Sequence, residues 1–308
     1  MTKDKWHGHL AILATNLIFG LNAPVAKSVV PEWISPYALT LLRMAFAAAV
    51  FWGIGLFTKK ERIRGRDLFI IFFGALFGLV GAQLSFAGAL QYTSPVNISI
   101  IASMTPIVVL ILAAMVLKEP ITVKKAAGVL IGACGALLII LQSNAASADR
   151  AGSLIGNLLC IVNIVTYATY LVITRPVSQR YSPVTLMKWM FLFSALVSVP
   201  FGCRELAAAP AFAAHASASV LLRLAYITVF ATGIAYLLVP MALKRIRPTT
   251  ASMYNNLQPI VASAIAIIVG QDTFTWDKPA AACLVFAGVY LVTQSKSRAD
   301  MEQKQENQ

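Results

Sequence analysis

The sequence is short of charge. Only 12% of its 308 residues are Asp, Glu, Lys or Arg, about half the ~25% of an ordinary soluble domain. Carboxylates are scarcest, with 12 Asp and Glu against 25 Lys and Arg. None lies inside the long apolar stretches that dominate the chain; Asp67 stands at the end of one, and His7, His9 and His215 sit at edges. A nucleophile–base pair or a metal-assisted site within those stretches is thereby excluded. So is the buried carboxylate or histidine from which a proton relay is usually built, which favours facilitated diffusion or exchange. Cysteine is also rare. Cys134, Cys160, Cys203 and Cys283 form no CxxC or other metal-ligand spacing, so they read as small apolar side chains. The expectation is a protein that is not an enzyme, with no metal, no cofactor and no catalytic residue.

What the sequence has instead is apolar surface. Hydrophobic residues make up 58% of it, and the mean hydropathy is +0.75. A water-soluble fold of this length could not hide so much, and the excess must face lipid. A spanning helix needs ~20 mainly apolar residues. Ten stretches meet that need: Gly8–Val30, Pro36–Phe57, Asp67–Gln91, Pro95–Leu117, Val123–Leu141, Gly152–Pro176, Pro183–Cys203, Ser219–Lys244, Pro248–Val269 and Lys278–Thr293. They are too long and too evenly apolar for the alternating segments of a membrane barrel. The first follows Lys3 and Lys5 as a signal peptide would, but its length and Lys27 mark it as an uncleaved helix.

The net charge of +13 does not point to nucleic acid, because the basic residues lie in short runs between apolar stretches. Counted over alternate connections, 18 Lys and Arg fall on one side and 4 on the other. The richer side includes Lys59 to Arg66, Lys244 to Arg247 and both chain ends, so both termini are expected in the cytoplasm. An even number of spans follows, and ten fits. The tail 296–308 is polar and expected to be disordered. The partners expected are a lipid bilayer and a small-molecule solute; monomer and homodimer both fit.

The chain also repeats itself. Shifted by 153 residues, Pro95–Val116 lies over Pro248–Val269 with seven of 22 positions identical, among them Pro95/Pro248, Ser99/Ser252 and Pro106/Pro259. Upstream, Ser35-Pro36 lies over Ser182-Pro183 at a shift of 147, and Gly8 over Gly156 at 148. Leu, Ile and Ala would match by composition alone; prolines and glycines matching in order would not. The chain therefore divides into residues 1–146 and 147–295, with five spans each. Five is odd, so the second set must lie upside down relative to the first. The expected fold is all-α and membrane-integral: ten transmembrane helices as two inverted five-helix repeats. Such repeats build transporters that hold solute near the midplane.

These residues resemble the EamA type of the drug/metabolite transporter superfamily. The Ser-Pro start of spans two and seven, Arg43 in span two, and Ile18-Phe19-Gly20-Leu21-Asn22 in span one carry the likeness. So does Pro106 followed by Lys118-Glu119-Pro120-Ile121-Thr122, similar to a proline with a "gE.lt" ending, where Lys118 replaces the first Gly and, in the second copy, Asp272 replaces Glu. The resemblance implies export or exchange of small solutes across the bacterial inner membrane. Amino acids or related metabolites come first and drugs second, by alternating access. A non-transporting scaffold or sensor is the alternative. The resemblance also implies a cavity lined by spans one, three, four, six, eight and nine.

Polar side chains at mid-bilayer are costly unless they meet another polar group or water. Span six offers Asn163, Thr166, Tyr167 and Tyr170 on one stripe, and Thr15, Ile18, Phe19 and Asn22 match it in span one. Span nine offers Tyr254, Asn255 and Gln258 on one face, with Asn256 turned away by ~100°. Thr105, Gln83 and Tyr236 complete the candidate solute-binding set. Interhelical hydrogen bonding is the competing role for each. Arg43 is the one deep cation, either a structural arginine or an anchor for a substrate carboxylate. Pro106 and Pro259 should each kink their helix, as a static bend or as a hinge. Gly74/Gly78 and Gly128/Gly132 have the spacing of close helix packing.

Overall fold

A computed structural model describes residues 3–92, 98, 101–142, 154–213, 217–268 and 275–295. Every regular element among them is helical. The first is α1 (Lys3–Lys27), followed by α2 (Pro36–Phe57). The rod α3 consists of Gly65–Ala75, a π-helical turn Leu76–Gly81, and Ala82–Tyr92. Then come α4 (Thr105–Leu117), α5 (Val123–Gln142), and α6 (Leu154–Ile173), which is prolonged by Arg175–Arg180. After α7 (Pro183–Ala207), α8 joins Ala218–Ala225, a π-helical turn Tyr226–Ile234, and Ala235–Leu243. In α9, Pro248–Met253 leads through a 3₁₀ turn, Tyr254–Asn256, into Leu257–Ile268; α10 is Asp277–Thr293.

Six of these rods, of 22 to 27 residues, are long and apolar enough to cross a bilayer: α1, α2, α3, α6, α7 and α8. Thr105–Leu117 and Lys278–Thr293 are shorter apolar helices. The outer ends of the expected fourth and ninth spans, including Pro95 and Val269, lie outside the described residues, as does the tail 296–308. The outward surface explains the hydropathy. Phe57 is 92% exposed, Leu56 75% and Met115 71%, a surface that water would drive to associate and lipid tolerates.

Two antiparallel pairs organise the packing. In the first, α2 lies along α7. Phe51 stacks on Phe191 with ring centroids 5.5 Å apart, and Gly202 lets the backbone of Tyr37 approach closely. Both helices begin with the repeated Ser-Pro for one reason. Ser35 accepts from the Ala38 N–H and Ser182 from the Thr185 N–H, which satisfies orphan donors, while proline needs no partner there. Each cap also meets a carboxylate at the other helix's C-terminal end: Ser35 donates to Glu205 in the last turn of α7, and the Ser182 N–H donates at 3.0 Å to Glu61, which follows α2. Burial would push the Glu61 carboxyl up. The Thr185 hydroxyl and the Ser182 N–H and hydroxyl outweigh it and hold Glu61 below its ordinary value.

In the second pair, α5 crosses α10 on glycine. A Cβ at Gly288 would stand 2.6 Å from the Gly128 carbonyl oxygen, and one at Gly128 would stand 2.9 Å from the Gly288 oxygen. The expected packing role of Gly128/Gly132 thus falls on a crossing with α10. Gly74 and Gly78 instead admit Thr174 and Tyr170 of α6 against α3.

Candidate functional site

Seven of the helical rods converge on one cavity of ≈ 220 Å³. Phe19, Gly20 and Asn22 come from α1, Arg43 from α2, and Ala82, Gln83 and Phe86 from α3. Ile98, Ala102 and Ser103 precede α4, whose first residue is Thr105; α6 gives Asn163 and Tyr167, and α8 gives Tyr236. The last wall is α9, with Asn255, Asn256, Gln258 and Pro259. Asn22, Arg43, Gln83, Thr105, Asn163, Tyr167, Tyr236, Asn255 and Gln258, chosen from the sequence, therefore meet around one space. The helices that line it are those expected, with α2 added through Arg43.

Tyr254 is placed elsewhere. Its hydroxyl lies 2.8 Å from His9 Nδ1, away from the cavity. Asn256, expected to turn away, lines the cavity instead. The 3₁₀ turn Tyr254–Asn256 is the cause, because its tighter winding breaks the 100° step on which the helical face was drawn. Asn256 is 1% exposed, and neither its Nδ2 nor its Oδ1 has a partner; Asn22 Oδ1 is likewise buried and unpartnered.

The prolines sit where their helices are interrupted. Pro106 falls in the first turn of α4, just after a turn at Ser103–Met104, and Pro259 follows the 3₁₀ turn of α9. A proline leaves the carbonyl four residues earlier without its usual donor. For Pro106 that carbonyl is Ala102, and the Thr105 hydroxyl takes it at 2.6 Å.

The π turns present polar groups in a similar way. Asn163 Nδ2 donates to the Ala82 carbonyl at 2.6 Å, directly after the π turn of α3. Thr15 Oγ1 approaches the Ala235 carbonyl at 3.3 Å, directly after the π turn of α8. The two contacts correspond under the sequence shifts, Thr15 to Asn163 and Ala82 to Ala235.

At the centre is Arg43, 4% exposed. Its Nε donates to Thr232 Oγ1 at 2.6 Å, Nη1 to Gln83 Oε1 at 2.8 Å, and Nη2 to the Ala231 carbonyl at 3.3 Å. All three acceptors are neutral, and no carboxylate among the described residues pairs with it. Gln83 Nε2 continues the chain to the Tyr236 hydroxyl at 2.6 Å. Gln83 and Tyr236 are themselves 153 residues apart, the repeat shift. Thr232 shares a stripe of span eight with Thr228 and Tyr236 but stood outside the candidate set, because a threonine there reads as helix-to-helix glue; in the structure it lies in the π turn and accepts from Arg43. Asn16, which accepts from Gln258 Nε2 at 2.9 Å, was also missed.

Toward the end expected in the cytoplasm, a second polar cluster ties the halves of the chain together. Lys125, wholly buried, meets Glu119 at 2.5 Å, and Thr249 of α9 donates to the same carboxylate at 3.2 Å. Arg175 donates to the Leu243 carbonyl at 3.3 Å, and Arg247 to the Ser295 carbonyl at 2.9 Å. Lys118, just before Glu119, has φ 53° and ψ 35°. That left-handed conformation accounts for a glycine at the matching place in the family-like ending.

The sequence pattern of the EamA-like transporter family matches residues 6–141 and 154–294. An uncharacterized transporter of Bacillus subtilis, YyaM, is 26% identical over 265 residues, 85% of this chain and 86% of its own. An uncharacterized transporter of Archaeoglobus fulgidus is 26% identical, covering 95% and 99%. The WAT1-related protein At1g43650 of Arabidopsis thaliana is 20% identical, covering 96% and 93%. A solved crystal structure shares the fold with a TM-score of 0.73, at 19% identity over 93% of this chain and 96% of that one.

Proposed function

The chain belongs to the EamA-like transporter family, and from that premise we propose that it exports or exchanges small solutes across a bacterial inner membrane through the central cavity. The observation that carries this reading is the convergence of Arg43, Gln83, Asn163, Tyr167, Tyr236, Asn255 and Gln258, from five separate rods, on one space. Isolated interhelical hydrogen bonds would scatter through the bundle; these gather. Unpartnered Asn256 and Asn22 Oδ1 add capacity that packing alone does not use.

We further propose ten crossings in two inverted sets of five, residues 1–146 and 147–295, with both termini cytoplasmic. The antiparallel α2–α7 and α5–α10 pairs support it, as does the matched pair of contacts from Thr15 and Asn163. Under alternating access, the interrupted turns before Pro106 and Pro259 act as the pivots. The Glu119–Lys125–Thr249 cluster is then a contact that must part when the cavity opens to the cytoplasm. Amino acids and related metabolites suit the size and polarity of the space. Purified protein in liposomes tests the assignment through counterflow of labelled solutes. Asn163→Ala and Asn255→Ala should each depress flux while the protein keeps its fold; full flux in both variants overturns the site.

A further inference from the structure

We propose, resting on the reading of this cavity as the solute site, that its solutes are selected by a carboxylate group, received at a corner of donors formed by Arg43, Gln83 and Tyr236. The argument follows the protons. Arginine has five N–H donors and no acceptor. Three of those donors are engaged, by Thr232, Gln83 and the Ala231 carbonyl. Two remain, on a guanidinium that lines the cavity.

The rest of the chain is then fixed. Because Arg43 can only donate, the Gln83 atom facing it must be the amide oxygen. The Gln83 NH₂ therefore faces Tyr236 and donates to the phenol oxygen at 2.6 Å. Tyr236, having accepted there, keeps its own O–H free, with no acceptor in reach among the described residues. The corner thus offers the free N–H groups of Arg43 and the O–H of Tyr236, all donors and one of them charged.

The charge fixes the class of ligand. Arg43 is the single charged residue among those lining the cavity, and it has no carboxylate partner among the described residues. A buried charge without a counterion is strongly disfavoured. A monoanion that brings acceptor oxygens cancels the charge and takes the spare donors at once, in the planar geometry that suits a guanidinium. A dianion would be left half neutralised, and a cationic solute would be repelled. The buried Asn22 and Asn256 amide oxygens supply acceptors in the same space, where an ammonium group on the solute could donate.

The test is thermal stabilisation of the purified, detergent-solubilised protein by matched probes at millimolar concentration. Aliphatic and aromatic amino acids are compared with their primary amides and with the corresponding acids lacking the amino group. The stabilising probes should all be carboxylates. Amidation should weaken them on the order of tenfold or more, the worth of a charged hydrogen bond. Arg43→Gln should abolish the effect. Should that variant fail to fold, Tyr236→Phe, which removes the free O–H together with the oxygen that Gln83 donates to, should weaken carboxylates more than amides. Equal binding of acids and amides, full carboxylate binding by folded Arg43→Gln, or silence of every probe overturns the inference. Tight binding of uncharged solutes that is lost in Asn163→Ala would overturn the carboxylate corner alone. Carboxylate binding indifferent to both Asn163→Ala and Asn255→Ala would overturn the cavity assignment. Acids with and without the amino group differ only in whether Asn22 and Asn256 take part.

Discussion

Replacing Gly288 with alanine should drive α10 off α5. The added Cβ would lie 2.6 Å from the Gly128 oxygen and 2.8 Å from both the Cα and the N of Gly132. Comfortable separation for such atoms is ~3.5 Å or more, so the helices must part or slide by about 1 Å. Every obstructing atom is backbone, and no rotamer change can relieve the clash. Overpacking of this kind costs ~1–3 kcal/mol. Alanine also favours helix over glycine by up to ~1 kcal/mol, which would mask part of the loss. Gly53 in α2 supplies the correction, because a Cβ there meets nothing within 4 Å. Gly53→Ala therefore reports the propensity gain alone, and the gap between the two variants isolates the steric term. Unfolding in mixed micelles by increasing SDS, followed by circular dichroism, measures both. Gly288→Ala should fall below Gly53→Ala by ~1–3 kcal/mol. Equal stability of the two would refute the close crossing of α5 and α10.

Lys118→Gly should raise stability by about 1 kcal/mol in the same assay, since a left-handed non-glycine residue carries a cost of ~1–2 kcal/mol. Lys125→Met should lower it by ~3–5 kcal/mol, because Glu119 is left charged and almost buried without its partner, and the double change Lys125→Met/Glu119→Gln should recover most of the loss. Glu61 gives a pH signature. Its folded pKa is depressed, so its contribution is present above the ordinary carboxylate range and is lost as pH falls through the depressed value. Wild type should melt above Glu61→Gln at neutral pH and converge with it in acid; a pH-independent gap would contradict the hydrogen bonds to Ser182 and Thr185.

The helices were legible because lipid leaves so little choice: any long apolar stretch with its charges at the ends must satisfy its backbone internally. Most of the cavity was legible for a related reason. An amide such as Asn163 or Gln258 in the middle of such a stretch must face something polar. Failures came where a helix departs from regular winding. Asn256 was assigned to the wrong side because no residue announces the 3₁₀ turn it closes. The π turns of α3 and α8 have no sequence signature either, so the pairing of Thr232 with Arg43 and the role of the Ala82 carbonyl could not be anticipated. Contacts between distant parts of the chain were also hidden: nothing near Tyr254 points to His9, 245 positions away. Arg43 could be placed at depth, but not its neutral partners.

The pair formed by Gln83 and Tyr236 has one further consequence. Residues related by a two-fold axis, if they touch, touch on that axis. In an assembly of two identical halves each would be the same amino acid, and a bound molecule could turn end for end without noticing. Here the position is glutamine in one half and tyrosine in the other, and the counterpart of Arg43 at a shift of 147 is the buried, uncharged Met190. Under the proposed inverted repeat, the framework keeps a two-fold pattern while its lining is polarised. On that proposal the cavity has a head and a tail, and a solute inside it would have one preferred way round.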